Sequence, residues 1–271
     1  MNMSEAELQQ KIRILIGESE RRLTLADLQK RVSGNKREGK NALRKAIHKL
    51  IDQKELMYVN EFGHTFLVAA LNKPVHLSRR VVLKPERCSL NADPQDIVIN
   101  FQHGISFGSG QHPTTRLCLR GLEELIKIKP NLITTPNTFA LDIGTGSGVL
   151  IIAAIQMGLK QGVGIDVDPI SISEAKNNVH INNLNDRIRI SPQAFEQINQ
   201  SFDLIMANLR WPSLNSYLPK MINNLKLNGV LLLSGLRCQE LDELLALRQK
   251  NLLHLLWQKE DKNWAAVGFS R

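Results

Sequence analysis

The stretch Leu141-Asp-Ile-Gly-Thr-Gly-Ser-Gly-Val-Leu-Ile151 decides the fold. An apolar run ends in alternating glycines and passes directly into a second apolar run, the pattern of a strand, a tight turn and a helix. Glycine at such a turn lets the backbone approach a ligand without a clash at Cβ. The next apolar run, Gly162-Val-Gly-Ile-Asp166, ends in an acid. A glycine turn followed by an acid at the next strand end suits a nucleoside-bearing ligand, because a carboxylate accepts both hydrogen bonds of a ribose diol.

The glycine spacing narrows the ligand. A dinucleotide turn reads G-x-G-x-x-G; here glycines stand at 144, 146 and 148, and Val149 occupies the third position of that fingerprint. The G-x-G-x-G form preceded by an acid, Asp142, resembles motif I of the S-adenosylmethionine (SAM) methyltransferases. The resemblance implies that Asp142 and the turn Gly144, Thr145, Gly146 and Gly148 hold the methionine end of the cofactor, and Asp166 its ribose. The alternative is a glycine-rich turn in some other doubly wound domain.

Outward from this turn the pattern alternates. Strands are expected at 138–143, 162–166, 187–191, 202–207 and 230–234, with helices at 148–157, 170–182, 217–225 and 239–250. Two further strands, 254–259 and 264–270, are separated only by Glu260-Asp-Lys-Asn263, so they must pair antiparallel. The expectation is an α/β, Rossmann-like class I methyltransferase fold: a seven-stranded, mostly parallel sheet closed by a terminal hairpin.

The N-terminal third reads differently. Residues 4–16 are helical, with Leu8, Ile12 and Leu15 on one face. Thr24-Leu-Ala-Asp27 is a capping box for a second helix that stops near Ser33-Gly34. A third helix, from about Arg37 to Gln53, has a stripe of Leu43, Ile47, Leu50 and Ile51 and a face rich in Lys and Arg. Residues 56–59 and 65–68 then read as a hairpin. Helix, helix, basic helix, hairpin is the order of a winged helix-turn-helix, whose third helix enters the DNA major groove. Arg37, Lys40, Arg44 and Lys45 are the candidate nucleic-acid contacts; the alternative is a solvated basic face on a protein-binding module. The expected organisation is a winged-helix-like domain over 1–70, a Pro-containing connector with one or two short strands over 71–100, and the methyltransferase domain over 101–271.

Bulk properties agree with a globular protein. The chain has 271 residues, 42% of them hydrophobic, with a net charge of +9. Residues 1–100 carry 18 basic and 12 acidic side chains, residues 101–271 carry 17 and 14, so the excess sits toward the N-terminus and points to an acidic partner there. No apolar run reaches the length of a membrane span and the start opens no signal peptide, so a cytoplasmic location without membrane contact is expected. Cys88, Cys118 and Cys238 are far apart and form no C-x-x-C, which argues against a disulfide framework and a metal site.

Phe107-Gly-Ser-Gly-Gln-His-Pro-Thr-Thr-Arg-Leu-Cys-Leu119 is similar to the F-G-T-G-x-H-P-T-T-x-L-C-L segment of the PrmA family. Ala207-Asn208-Leu209 resembles that family's A-N-I turn, and Leu231-Leu-Leu-Ser-Gly235 its L-x-L-S-G strand. The resemblance covers about residues 100–271. It implies SAM-dependent methylation of lysine side chains and an N-terminal amine of a large-subunit ribosomal protein. Two departures touch substrate recognition: the family's N-terminal domain is a small α/β module, and Arg210-Trp211 replaces small residues after Asn208.

Methyl transfer from a sulfonium needs alignment and exclusion of water more than acid–base chemistry. Asn208 is the first choice to accept from the amine nucleophile and aim its lone pair, or else it caps the following helix. Asn208 also counts among the cofactor-binding candidates. Thr114 or Thr115 adds a hydroxyl acceptor, though Thr114 also suits the N-cap of a helix over 115–125. Phe107 is placed against the cofactor, beside the hinge glycines Gly108 and Gly110. His112 fixes the loop or acts as a base, and Trp211 is a substrate-side wall or a packing residue. Asp168-Pro169 starts the helix after the second strand, and Gln193 and Ala194 are weak adenine-pocket candidates. The expected function is SAM-dependent methylation of a protein amine, with lysine in a ribosomal or translation-related protein as the first choice. The alternatives are a nucleic-acid methyltransferase and a DNA-binding regulator with a cofactor-sensing domain.

Overall fold

The computed structural model describes residues 3–19, 22–32, 37–53, 55–61, 64–70, 73–86, 88–102, 112–250 and 253–271. The chain divides into two compact units, residues 1–73 and 74–271.

In the first unit the order is α1 (Glu5–Glu18), β1 (Leu23–Thr24), α2 (Leu25–Val32), α3 (Arg37–Asp52), β2 (Leu56–Glu61) and β3 (His64–Ala69). Ser4 and Glu7 close a reciprocal capping box on α1. Thr24 and Asp27 do the same for α2: the Asp27 N–H donates to Thr24 Oγ1 (3.1 Å) and the Thr24 N–H to Asp27 Oδ2 (3.0 Å). The three strands form an antiparallel sheet in the order β1-β3-β2. Leu8, Ile12, Leu28, Leu43, Ile47, Leu50, Leu56 and Leu67 meet in one core. The short strand ahead of α2 is an addition to the expected elements. The Ser33-Gly34 stop falls outside the described residues.

The second unit begins at Pro74, so residues 74–100 of the segment expected as a connector belong to it. Residues 74–101 form β4 (Val75–His76), β5 (Val81–Pro85) and β6 (Ile97–Phe101), a small sheet in the order β4-β5-β6. Val81, Val82 and Leu83 are buried, as are Ile97, Ile99 and Phe101 in alternation. After it come α4 (Pro113–Ile128), the single turn α5 (Asn131–Thr134), β7 (Phe139–Ile143), α6 (Val149–Gln156), β8 (Gln161–Ile165), α7 (Pro169–Ile181) and β9 (Ile188–Ser191). A 3-10 turn, Phe195–Gln197, leads to β10 (Phe202–Asn208), α8 (Trp211–Asn223), β11 (Leu225–Arg237), α9 (Cys238–Lys250), β12 (His254–Asp261) and β13 (Trp264–Ser270).

The large sheet has seven strands in the order β12-β13-β11-β10-β7-β8-β9. The run from β11 to β9 is parallel, and β13 is antiparallel to both β11 and β12. This is the expected class I methyltransferase sheet. Strand order reverses between β7 and β10, and in open sheets of this kind ligands bind outside the strand ends at such a reversal. Two helix boundaries correct the sequence reading. α4 starts at Pro113, with His112 and not Thr114 as its N-cap. α8 starts six residues before the expected Tyr217, because Pro212 is tolerated in a first turn whose N–H groups have no intrahelical acceptor.

Candidate active site

The turn between β7 and α6 is built by backbone geometry that only glycine enters easily. Gly144, Gly146 and Gly148 have φ of +68°, +55° and +82°. The Gly144 and Thr145 N–H groups both donate to the Ile165 carbonyl (2.9 Å each), which ties the turn to the end of β8. Just beyond, Asp166 Oδ2 accepts the Gly146 N–H (2.9 Å) and Oδ1 accepts the Asp168 N–H (3.0 Å). Its half-buried carboxylate thus braces the turn while retaining lone pairs for further donors. Asp168 caps α7, as expected, accepting from Ile170 and Ser171.

Asp142 lies below the turn at 1% exposure. Its Oδ2 accepts the Thr145 hydroxyl (2.7 Å), and its Oδ1 is buried with no partner. Burial pushes this carboxyl up to about 7. The Thr145 hydrogen bond and, more weakly, the Ile151 backbone N–H oppose that rise, and the Asp166 charge adds to it.

Asn208 ends β10, paired in register with Ser234 of β11. Its Oδ1 is also buried without a partner. The capping alternative is corrected: the N-cap of α8 is Arg210, and no side chain caps that helix. Leu209 follows, its N–H donating to the Ser234 carbonyl (3.0 Å), and its side chain lies over Gly144, 2.5 Å from where a Cβ would stand.

At the start of α4, His112 Nδ1 accepts the Thr114 N–H (3.3 Å) and stands 2.7 Å from Thr114 Oγ1. That contact caps α4 and occupies Thr114. Thr115 is buried and its Oγ1 has no partner. The His112 ring meets the edge of Trp264 at 4.9 Å, and the Arg237 guanidinium stacks on Trp264 at 3.8 Å. Trp264 pairs with Arg237 at the C-terminal end of β11, so the head of α4 sits at the same sheet edge as the glycine turn. Of the seven buried side-chain polar atoms that make no hydrogen bond among the described residues, four, Thr115 Oγ1, Asp142 Oδ1, Asn208 Oδ1 and Trp264 Nε1, belong to this edge. Buried polar groups are satisfied as a rule, and unmade bonds at one edge mark where a ligand completes them.

Other predicted residues fall elsewhere. Trp211 is 8% exposed within the core, its indole N–H donating to Glu243 Oε2 (3.1 Å); it is a packing residue, not a wall facing the crevice. Gln193 donates to the Gln197 carbonyl (3.2 Å). Phe107, Gly108 and Gly110 lie outside the described residues. Trp264 and Arg237 were not read from the sequence, and Leu209 and Gly235 entered it only as the last residues of the A-N-I-like turn and the L-x-L-S-G strand.

Residues 40–271 match the family described as ribosomal protein L11 methyltransferase (PrmA). The chain belongs to this family. Among curated members, the ribosomal protein L11 methyltransferase of Pelobacter propionicus is 34% identical over 199 residues, covering 69% of this chain and 63% of that protein. The protein of the same name from a Geobacter species is 31% identical over 200 residues, covering 73% and 64%. The chain therefore spans less than two thirds of the length of these relatives. A crystal structure of the ribosomal protein L11 methylase from Lactobacillus delbrueckii subsp. bulgaricus superposes with a TM-score of 0.64 at 25% identity, covering 73% of this chain and 98% of that one. The family match starts inside α3 and contains the glycine turn, Asp166, Asn208 and the His112-Pro-Thr-Thr115 segment.

Proposed function

We propose that this chain is a SAM-dependent methyltransferase acting on a protein amine, and that ribosomal protein L11, named by its relatives, is the substrate to test first. The observation that carries the reading is Asn208: a buried, unpartnered acceptor at the strand-order reversal, level with the glycine turn. The site fits this cofactor, because unpartnered acceptors on Asp142 and Asn208 and spare lone pairs on Asp166 suit a ligand bearing an ammonium group and a ribose diol.

Bound SAM supplies a methyl group already activated by a cationic sulfur. Asp166 would take the ribose hydroxyls, and the turn Gly144–Gly148 with Asp142 would hold the amino-acid end. Asn208 Oδ1 accepts an N–H of a neutral amine and fixes the direction of its lone pair. Of the two threonines, Thr115 has the unused hydroxyl, so it is the better second acceptor, with Thr114 and His112 holding the head of α4 in place. Phe107 keeps its proposed place against the cofactor on the sequence pattern alone. Calorimetry with SAM and S-adenosylhomocysteine (SAH) tests the first step, and mass spectrometry of L11 incubated with enzyme and SAM the second. Whole-methyl mass increments on L11 are expected; no heat of binding at millimolar SAM overturns the reading.

We further propose that the first unit contacts nucleic acid, with the ribosome's cytoplasmic setting as its place of work. Support comes from the exposed side of α3. Its apolar stripe is spent on the unit's own core, leaving Asn41, Arg44 and His48 exposed and Lys40 half-buried. Lys45 is shared with Glu5 (3.8 Å), as is Lys49 (2.8 Å), so Lys40 and Arg44 are the stronger candidates; the Arg37 side chain is not among those described. Fluorescence anisotropy with labelled duplex should show affinity falling steeply with salt. Binding that survives Lys40→Ala/Arg44→Ala unchanged overturns this part. Among the described residues no helix is long and apolar enough to cross a membrane.

A further inference from the structure

β6 is an edge strand of its sheet, and its outer side is met by Asn178 of α7 and by Asn182, the C-cap of that helix. Asn182 Oδ1 accepts the Asn100 N–H (2.8 Å) and its Nδ2 donates to the Asn100 carbonyl (2.7 Å). Asn178 Oδ1 accepts the Gln102 N–H (3.0 Å). The two spacings match: four residues of helix rise about 6 Å, and two residues of strand about 6.6 Å. The pair of amides thus replaces the missing neighbour strand.

Asn178 makes one contact that Asn182 does not. Its Nδ2 donates to the Ser147 carbonyl (2.9 Å), inside the glycine turn, and the side chain is 1% exposed. One turn earlier on α7, Ala175 Cβ stands 3.3 Å from where a Cβ on Gly148 would be, so the helix presses on the turn at two points. By sequence, β6 leads to Phe107-Gly-Ser-Gly and His112.

We propose that Asn178 is a positioning residue: one buried amide fixes the glycine turn and the end of β6 relative to each other, and so sets the shape of the cofactor crevice. This rests on the SAM reading only in what the crevice holds. The clasp by itself is structural, and Asn182 provides the control: it grips the same strand without touching the turn, although its Nδ2 also donates to the Asn178 carbonyl (2.7 Å).

Asn178→Asp keeps the acceptor for Gln102 but, when ionised, cannot donate to Ser147. Protonation restores a donor. The test compares Asn178→Asp, Asn182→Ala and wild type by SAH calorimetry at pH 5.5 and 8 (roughly either side of a buried carboxyl's titration), and by hydrogen exchange of the 144–148 amides without ligand. Both variants should unfold more easily. Only Asn178→Asp should weaken SAH, by about tenfold at the higher pH, the scale of one hydrogen bond, with recovery toward wild type at the lower; only it should speed exchange in the turn. Unchanged affinity and exchange in folded Asn178→Asp, or equal losses in Asn182→Ala, overturn the proposal. If wild type itself binds no SAH, the cofactor reading falls and the exchange comparison alone decides the coupling. If Asn178→Asp does not fold, Asn178→Ser is judged by the same affinity and exchange criteria.

Discussion

Leu209 meets two glycines, and the two do not tolerate change equally. A Cβ on Gly144 would stand 2.5 Å from Leu209 Cδ2, the end of a flexible side chain; one on Gly235 would stand 2.2 Å from the Leu209 carbonyl oxygen, which cannot swing aside. Both glycines have positive φ, +68° and +91°, a conformation that costs an L-residue about 1–2 kcal/mol. Gly144→Ala should therefore cost about that plus a steric part, and adding Leu209→Ala should recover the steric part. Gly235→Ala should cost more and recover nothing, because the backbone of residue 209 remains. Urea midpoints of the singles and doubles measure this; equal recovery at both glycines would remove the backbone argument. Asn208 makes the opposite prediction. Asn208→Leu deletes a buried acceptor that has no partner, so the midpoint without cofactor should hold or rise. Methyl transfer should fall by about 100-fold, the scale of losing one oriented polar group. A large loss of stability with an unchanged rate would assign Asn208 to packing.

At the scale of elements, charge and packing on α3 are separable, and that gives a further test. Glu5 of α1 holds Lys45 and Lys49, so Glu5→Ala releases two cations onto the exposed face. If that face meets duplex phosphates, Glu5→Ala should tighten binding and steepen its salt dependence, while Lys40→Ala or Arg44→Ala should weaken and flatten it. Anisotropy titrations at several salt concentrations read both; a Glu5→Ala slope equal to wild type would separate the helix from the ligand. The α3 stripe is legible in the sequence because Leu43, Ile47 and Leu50 recur at helical spacing, and the central strands because they are continuous apolar runs next to glycine turns. Asp142, Asp166 and Asn208 are legible as strand-end residues for the same reason. What periodicity does not encode is how distant segments meet. The start of α8 is hidden because Trp211-Pro-Ser213 reads as loop. β4–β6 look like a connector because each strand is short and two of their hydrogen-bond partners, Asn178 and Asn182, lie far along the chain. Trp211 reads as either a wall or a packing residue because the Glu243 carboxylate that accepts its indole N–H lies 32 residues further along the chain.

For the molecule as a whole, the unmade bonds at the sheet edge should appear as a dependence of folding on pH. Asp142 has an ordinary value of 3.8 and is raised to about 7 in the fold, chiefly by burial. A carboxyl raised on folding binds its proton more tightly in the folded chain than in the unfolded one. Between about pH 4 and 7 the folded state therefore carries more protons, and stability falls as pH rises through that window, then levels off above it. This is the reverse of a salt-bridged carboxylate, whose contribution is lost as pH falls. Asp142→Asn removes the titration but keeps an acceptor for Thr145, so its stability relative to wild type should grow from pH 4 to 7 and stay constant beyond. Other carboxylates titrate nearby, which is why the difference between the two proteins, and not either profile alone, is the quantity to measure by urea unfolding without cofactor. A donor supplied to Oδ1 by a bound ligand favours the ionised form, so SAH binding near pH 6.5 should release protons (roughly the middle of the raised titration). Calorimetry in two buffers of unequal ionisation enthalpy detects that release, and Asp142→Asn should abolish it. Parallel stability profiles for the two proteins, with no buffer dependence of the binding heat, would mean that the buried carboxyl is already ionised and partnered without a ligand.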